Sequence, residues 1–493
     1  MATYIIAIDQ STSATKAMLF SEHCEMVRRV NVAHKQYYPQ TGWVEHDAEE
    51  IYNNMITAVS QLLEGEDTAA NDYSLAITNQ RETAVVWSKT SGKPVYNAVV
   101  WQCTRGEELC NRLKNEGYSD MMREKTGLLI DPYFSASGVK WILDNVEGAR
   151  SAAEQGDLLM GTIDSWLVWR LTNGQCHATD YTNASRTLLF NIHTLDWDDE
   201  LLRLFTIPRS MMPKPMPSDA IYGETTIGGI LPHPIAIAGI LGDSHGALVG
   251  QMCFEPGMGK ATYGTGSSVM VNIGEKAKPA PQGLVTSVGF AALGKVFYSF
   301  EGNIHCTGAT INWLMNNLKM ISSPAEIEEA ALSVPDNGGV YIVPAFAGLG
   351  APWWNNDVRA AISGMTLGTG RNHILRATLE SIAYQIYDLV GTMAGQAGIA
   401  VKEMRVDGGP TRNNFLMQYQ TDCLRVPVDC SNIEEASALG AVIMNRTALG
   451  AMTNFEEIQA MRSSRKRYQP QDNAALMEQY IKGWHNAVSQ LLK

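Results

Sequence analysis

No apolar run in this 493-residue chain approaches the roughly 18 residues needed to cross a bilayer, and the stretch Pro234 to Leu241 reads instead as a buried strand. The eight cysteines, Cys24, Cys103, Cys110, Cys176, Cys253, Cys306, Cys423 and Cys430, form no CxxC pair. No signal-peptide pattern precedes them, so a reduced, cytoplasmic setting is expected. The ten histidines show no metal-ligand spacing, which leaves a structural zinc site unsupported. Positive charge is scarce as well: 38 Lys and Arg stand against 51 Asp and Glu, a net charge of -13. That balance argues against nucleic-acid or anionic-membrane binding, and an anionic substrate would need locally placed donors. GxxxxGK[ST] is missing, as are the HRD and DFG signatures of protein kinases. Gly264-Thr265-Gly266 lacks the third glycine of a dinucleotide fingerprint. No low-complexity tract intrudes.

Length then sets the frame. A chain of this size exceeds one growing core, so two domains of about 250 residues are expected, with a junction near residue 250 dividing 1–250 from 251–493. Two small-residue loops stand out, one in each half. Asp9-Gln10-Ser11-Thr12-Ser13-Ala14-Thr15-Lys16 follows the apolar run Tyr4 to Ile8, and apolar chain resumes at Lys16 to Phe20, the pattern of a hairpin closing over its loop. Thr262-Tyr263-Gly264-Thr265-Gly266-Ser267-Ser268 lies past the midpoint, in a stretch, Ala261 to Val271, that reads as strand.

Around these loops the pattern is α/β. Glu49 to Leu63 has helical spacing with Asp47 as its N-cap, and Ser74 to Thr78 is a strand that delivers Asn79, Gln80, Arg81 and Glu82 at its end. Helices are expected over 137–144 and 161–171, and the prolines at 208, 213, 215 and 217 make 205–220 a surface connection. The strand Ile235 to Ile240 ends in Leu241-Gly242-Asp243-Ser244-His245-Gly246, with a helix expected from Ala247. Ile374 to Met393 is a strong amphipathic helix, and Met404 to Gly409 is a strand ending in an acidic glycine turn before the helix-like Asn414 to Cys423. Each half thus opens on a strand leading to a hydroxyl-rich loop, a pattern worth reading as internal duplication.

Several constellations carry chemistry. Asp9 can place a metal-bound phosphate, with Thr12, Ser13, Thr15 and turn amides as donors and Lys16 as a point charge; the plain alternative is an ordinary polar hairpin. Thr265 between two glycines can donate to a phosphate oxygen, unless the glycines only bend a sheet. Gly409 and Asn413 can lie under and cap a flat ring or ribose. Asp243, at a strand end, can accept the proton of a hydroxyl attacking phosphorus, or can simply cap a helix. Arg81 and Glu82 can grip vicinal hydroxyls or pair with each other. Trp101 can pack on a polyol skeleton and Tyr133 can add a hydroxyl, where core packing is the default for either. His245 adjoins Asp243, but direct neighbours point in different directions, which argues against a second base.

Long motifs join these residues: Gly42-Trp43-Val44-Glu45-His46-Asp47, Thr78 to Thr83, Trp101-Gln102-Cys103, Gly127 to Ser135, Asp180 to Thr187 and Phe346 to Pro352. Over nearly its full length the chain resembles the FGGY carbohydrate kinases and, within them, the glycerol kinases. The resemblance implies two actin-like ATPase domains with ribonuclease H-like α/β cores, closing over ATP, Mg2+ and a small neutral polyol or ketose. It implies that Asp9 and Asp243 serve the metal and that Thr12, Ser13, Lys16, Thr265, Gly308, Asn312, Gly409 and Asn413 line the nucleotide. It places the polyol against Arg81, Glu82, Trp101, Tyr133 and Asp243, with Asp243 as general base. An assembly of two or four copies is compatible with it.

Two departures qualify the substrate. Glycerol kinases typically read Gly-Asp-Gln-Gln-Ala where this chain has Gly242-Asp243-Ser244-His245-Gly246, and Cys-Phe where it has Ser267-Ser268. Ser244 and Ser268 are smaller than the residues they replace, which predicts an enlarged pocket, weakened fit to glycerol and room for a four- or five-carbon polyol or ketose. Ser11 stands where glycine is usual, and Pro234 replaces the arginine of a sugar-bisphosphate feedback loop. A non-kinase actin-like ATPase and a silent sugar-binding regulator remain alternatives.

Overall fold

The computed structural model describes residues 2–355 and 357–493. In the first half, β1 (Thr3–Gln10), β2 (Ala14–Ser21) and β3 (Met26–Ala33) form an antiparallel meander, and α1 (Ala48–Leu62) follows. Asp47 caps α1, accepting from the Glu49 and Glu50 amides. Next come β4 (Asp72–Asn79), β5 (Ile221–Thr225), β6 (Ile235–Gly242) and α2 (Asp243–Gly250). These strands make one sheet in the order β5-β6-β4-β1-β2-β3, with β4 parallel to both β1 and β6. Side chains alternate across β1: Ile6 and Ile8 pack with Ile51 and Met55 of α1, while Ile5 and Ala7 join the core on the opposite face. Both faces are covered, which is why the strand reads as an unbroken apolar run.

The second half repeats the plan. β7 (Met258–Tyr263), β8 (Ser267–Gly274), β9 (Val285–Ala292) and β10 (Lys295–Ile304) are antiparallel neighbours, followed by α3 (Gly308–Asn316), α4 (Glu326–Leu332) and α5 (Arg371–Ala397). Then come β11 (Glu403–Gly408), α6 (Asn414–Leu424), β12 (Val428–Ser431), α7 (Ala436–Ala448) and β13 (Ser464–Tyr468). The sheet order is β9-β10-β8-β7-β11-β12-β13. Its middle, β10-β8-β7-β11-β12, matches β3-β2-β1-β4-β6 strand for strand in direction, so the duplication suspected in the sequence is a shared topology.

The structure corrects several boundaries. The first loop is tighter than expected: β1 runs to Gln10 and β2 resumes at Ala14, leaving Asp9 and Lys16 as cross-strand neighbours. The expected strand Ala261–Val271 is a hairpin bent at Gly264-Thr265-Gly266. Segment 205–220, expected as a surface connection, is exposed only in part, at residues such as Thr206, Arg209 and Lys214. Phe205, Ile207 and Met211 are buried, and Lys214–Met216 pairs in parallel with Ala178–Asp180. Proline bars a helix there but does not bar burial, because that pairing satisfies the backbone. Helix α2 begins at Asp243 rather than Ala247, with Gly242 as its N-cap.

Helix α7 belongs to the second half of the chain yet lies against the first sheet, touching β1, β4 and β6 and crossing α2. Asn445 anchors it, donating to the carbonyls of Leu75 (3.2 Å) and Ala238 (2.9 Å) and accepting from Ser74 Oγ (2.8 Å). The crossing is backbone on backbone: an added Cβ at Gly440 would lie 2.0 Å from the Gly246 carbonyl oxygen, and one at Gly250 2.0 Å from that of Ala436. No rotamer relieves such a clash. Gly440→Ala is therefore expected to force the helices apart at a cost of about 1–3 kcal/mol. An unchanged urea midpoint would show that the crossing has slack.

Candidate active site

The turn between β7 and β8 is stitched onto the start of α3. The Gly308 amide donates to the Gly264 carbonyl, and the Thr307 and Ala309 amides donate to that of Thr265, each at 3.0 Å. Gly308 is required by the approach, since a Cβ there would sit 2.7 Å from the Gly264 carbonyl oxygen. A cavity of about 580 Å³ opens beside this turn, and Thr265, Gly308, Asn312, Gly409 and Asn413 all line it. Residues 265 to 413 thus converge on one space. Asn413 caps α6 through Oδ1, which accepts from the Leu416 amide at 2.8 Å and leaves its Nδ2 donors to the cavity. Pro324, Ala325, Ile311 and Ile327 supply an apolar wall, while Arg412 and Glu328 are charged lining residues that the sequence did not single out.

The first loop is held from two sides. Trp101 Nε1 donates to Thr12 Oγ1 (3.0 Å), His34 Nε2 lies 2.8 Å from the Thr12 carbonyl, and the His34 amide donates to the Ser13 carbonyl (3.1 Å). Ser13 itself is exposed. Lys16 does not stand free: its Nζ is 3.5 Å from Asp9 Oδ2 and 2.7 Å from Glu435 Oε2, a carboxylate at the start of α7. Glu435 escaped sequence reading because nothing local marks a partner so far along the chain. Burial pushes Asp9 up to about 6; Lys16 opposes the shift, and Asp243 and Glu435 add to it. Among the described residues no cluster of three or more His, Cys, Asp or Glu is placed to hold a metal, so protein ligation of a cation here would come from one or two carboxylates.

Arg81, Glu82 and Asp243 meet at the ends of β4 and β6, and the structural pairing of Arg81 with Glu82, the alternative to a grip on hydroxyls, is loose, with Nε 3.9 Å from Oε1. Each has a firmer partner. Arg81 forks onto Glu301 of β10, both nitrogens at 2.8 Å, and Glu82 is 2.5 Å from Arg186 Nε, whose Nη1 is 3.0 Å from Glu301. Two arginines and two glutamates, all buried, therefore form one quartet across the two halves. Glu82 adopts φ 63°, a left-handed conformation that a glutamate holds only under surrounding constraint.

Asp243 borders the quartet and differs from it. Its Oδ1 accepts from the Ser244 amide (2.6 Å) and lies 3.1 Å from Arg81 Nε, while Oδ2 has no protein partner among the described residues and the side chain is 38% exposed. Trp101 stacks edgewise on Tyr133, ring centroids 5.4 Å apart, and burial beside Glu82 pushes the Tyr133 hydroxyl far above its usual range. The Ser244 side chain is half-buried and makes no hydrogen bond, whereas Ser268 Oγ is 3.1 Å from Lys260 Nζ. His245 is fully buried with Nε2 3.1 Å from Ser287 Oγ, and burial, reinforced by Arg81, pushes its pKa well down.

A chain with two sheets of one topology, a cavity beside a glycine turn and a partly exposed carboxylate at a strand end is, by its relatives, an ATP-dependent carbohydrate kinase. The chain belongs to the FGGY family of carbohydrate kinases, whose N-terminal domain model matches residues 4–250 and whose C-terminal domain model matches residues 259–449. It is 52% identical over 490 residues to glycerol kinase 1 of Thermotoga maritima and 49% identical over 489 residues to a glycerol kinase of Bacillus anthracis, covering 99% of each chain in both comparisons. The solved glycerol kinase of Plasmodium falciparum with ADP superposes with a TM-score of 0.95 at 33% identity, over 100% of this chain and 99% of that one. A xylulose kinase of Lactobacillus acidophilus, at 20% identity, shares the fold with a TM-score of 0.90 over 99% and 98% of the two chains. No helix among the described residues is long and apolar enough to cross a membrane.

Proposed function

We propose that the protein transfers the γ-phosphoryl group of ATP to a terminal hydroxyl of glycerol or a closely similar small polyol. The observation that carries this reading is the free Oδ2 of Asp243, the one oxygen of that carboxylate with no protein partner, beside the Arg81 quartet. The base of ATP fits the Ile311 and Ile327 wall, its ribose the Gly409–Asn413 lip, and its phosphates the turn at Thr265 and the loop at Thr12 and Ser13. The polyol lies against Trp101 and Tyr133, oriented by Arg81 and Glu82. Asp243 accepts the hydroxyl proton as the oxygen attacks phosphorus, and Lys16 places positive charge near the transferred group.

The donor set at Asp9 and Asp243 suits Mg2+, which takes one or two carboxylates together with phosphate oxygens, and burial raises Asp9 in spite of the Lys16 ammonium beside it. Such an ion neutralises phosphate oxygens when bound. Residues 1–250 and 251–493 act as two lobes whose closure excludes competing water. Eight unpaired cysteines support a reducing, cytoplasmic setting.

The relatives at about 50% identity are named as glycerol kinases, and they do not favour a longer polyol or ketose, a non-kinase ATPase or a silent regulator. Ser268 Oγ accepts from Lys260 Nζ at 3.1 Å, so that hydroxyl is oriented by the protein. Steady-state assays over tritols, tetritols, pentitols and ketopentoses should give glycerol the highest kcat/KM, by at least about 10-fold. A ketopentose or tetritol at the top of that panel would overturn the substrate assignment.

A further inference from the structure

One face of the second sheet carries, beside Glu301, a buried lysine to which the reading above gives no part in the reaction. Lys260 of β7 pairs across the sheet with Met270 of β8, which pairs with Glu301 of β10. One step along, Thr262 pairs with Ser268 on one side and with Asp407 of β11 on the other. Residues two apart share a face, so Lys260, Thr262, Ser268, Asp407 and Glu301 stand together, and Glu301 marks the face as the one turned to the first half. Thr262 and Ser268 are the stem of the hairpin whose turn holds Thr265.

Lys260 is 1% exposed. A buried ammonium ordinarily sits on a carboxylate, because desolvation is costly without an opposite charge. Here the nearest partners are hydroxyls, Ser268 Oγ at 3.1 Å and Thr262 Oγ1 at 3.5 Å, and no carboxylate among the described residues comes within ion-pair distance. Asp407 and Glu301 face it from the flanking strands, Asp243 and Arg81 from the first half, and Arg405 stands opposite on β11, committed to Glu403 and to the Gln251 and Met252 carbonyls. Asp407 is itself engaged by Gln251 Nε2 at 2.7 Å. The ammonium therefore sits between the Arg81 quartet and the strand that leads to Gly409.

We propose that Lys260 is a positioning residue for phosphoryl transfer, clamping the Thr262–Ser268 stem so that the turn carrying Thr265 is held in register with Asp243 and the acceptor hydroxyl. It acts through the stem and touches neither substrate. This rests on the kinase reading of the same site. Loss of the clamp leaves the cavity and the polyol wall in place but loosens the alignment of donor and acceptor, and sub-ångström misplacement is felt in the chemical step.

The test compares Lys260→Met, which keeps the stem of the side chain and removes charge and donors, with Lys260→Arg, and measures kcat, both KM values and ADP affinity by calorimetry. Lys260→Met should lose about 10- to 100-fold in kcat, with both KM values and the ADP Kd within about 3-fold of wild type, and Lys260→Arg should recover part of the loss. Thr262→Val, which removes one clamped hydroxyl at constant volume, should lower kcat in the same selective way and serves if Lys260→Met fails to fold. Wild-type kcat in Lys260→Met overturns the inference, as does a kcat loss matched by equal losses in KM and ADP binding, the mark of a scaffold residue. Should Lys260→Met not fold, wild-type kcat in Thr262→Val overturns it. Wild-type protein that phosphorylates no polyol while binding ADP would instead break the kinase reading, so the two failures are distinguishable.

Discussion

Asp243→Asn is expected to lower kcat with glycerol by about 10²- to 10⁴-fold, the usual span for removing a general base. The argument is one of elimination among five carboxylates. Glu301 is spent on two arginines, Glu82 on Arg186, and Asp9 and Glu435 on Lys16. Asp243 alone combines partial exposure with an oxygen free of protein donors, and its other oxygen is fixed by the Ser244 amide at 2.6 Å. Asparagine preserves the shape, so binding should survive: ADP affinity measured by calorimetry should stay within about 3-fold of wild type, which assigns the loss to chemistry rather than to folding. Near-normal kcat in this variant, with any accepted polyol, would remove Asp243 from the reaction.

Much of the frame was legible because local rules and tertiary demands agree in it. The cap at Asp47, the apolar run of β1 and the glycine turns at 264–266 and 408–409 each follow from constraints that a short window contains. Gly408 is a case in point: its φ of 99° and the 2.0 Å gap between an added Cβ and the Tyr263 carbonyl leave only glycine. The convergence of Thr265, Gly308, Asn312, Gly409 and Asn413 was expected from family resemblance, since no local pattern ties residue 265 to residue 413. What escaped was partnership. Arg81 and Glu82 looked like a pair because they are adjacent, yet neighbours at a strand end diverge, and each found its partner elsewhere: Glu301 is 220 positions from Arg81 and Arg186 is 104 from Glu82. In β10 Glu301 is the single acidic residue of a mostly apolar strand, which marks it as unusual without saying whom it meets. The partial burial of segment 205–220 escaped for a different reason: its prolines speak to backbone conformation and are silent on burial.

Glu301→Gln should be strongly destabilising, costing about 3–5 kcal/mol, because it leaves two buried arginines with Glu82 as their one buried carboxylate and only the partly exposed Asp243 beside Arg81. Arg81 would keep at most one of its two 2.8 Å contacts, the amide nitrogen would face a guanidinium in place of the other oxygen, and Glu82 cannot make up the lost charge at Arg81, being 3.9 Å from its Nε. Burial by itself would raise the pKa of Glu301; Arg186 and Arg81 outweigh it and hold the carboxyl well below its ordinary 4.5. The sign for stability follows. A carboxylate with a depressed folded-state pKa contributes above the unfolded value and loses that contribution only as pH falls through the folded one. The gap in urea midpoint between wild type and Glu301→Gln should therefore be flat through neutral pH and narrow only in acid below about 4.5. Because the same quartet orients Arg81 toward the polyol, KM for glycerol should rise by about 10-fold or more while KM for ATP moves far less. A gap that widened in acid, or a stable variant with an unchanged glycerol KM, would mean that the quartet neither holds the two halves together nor shapes the polyol wall.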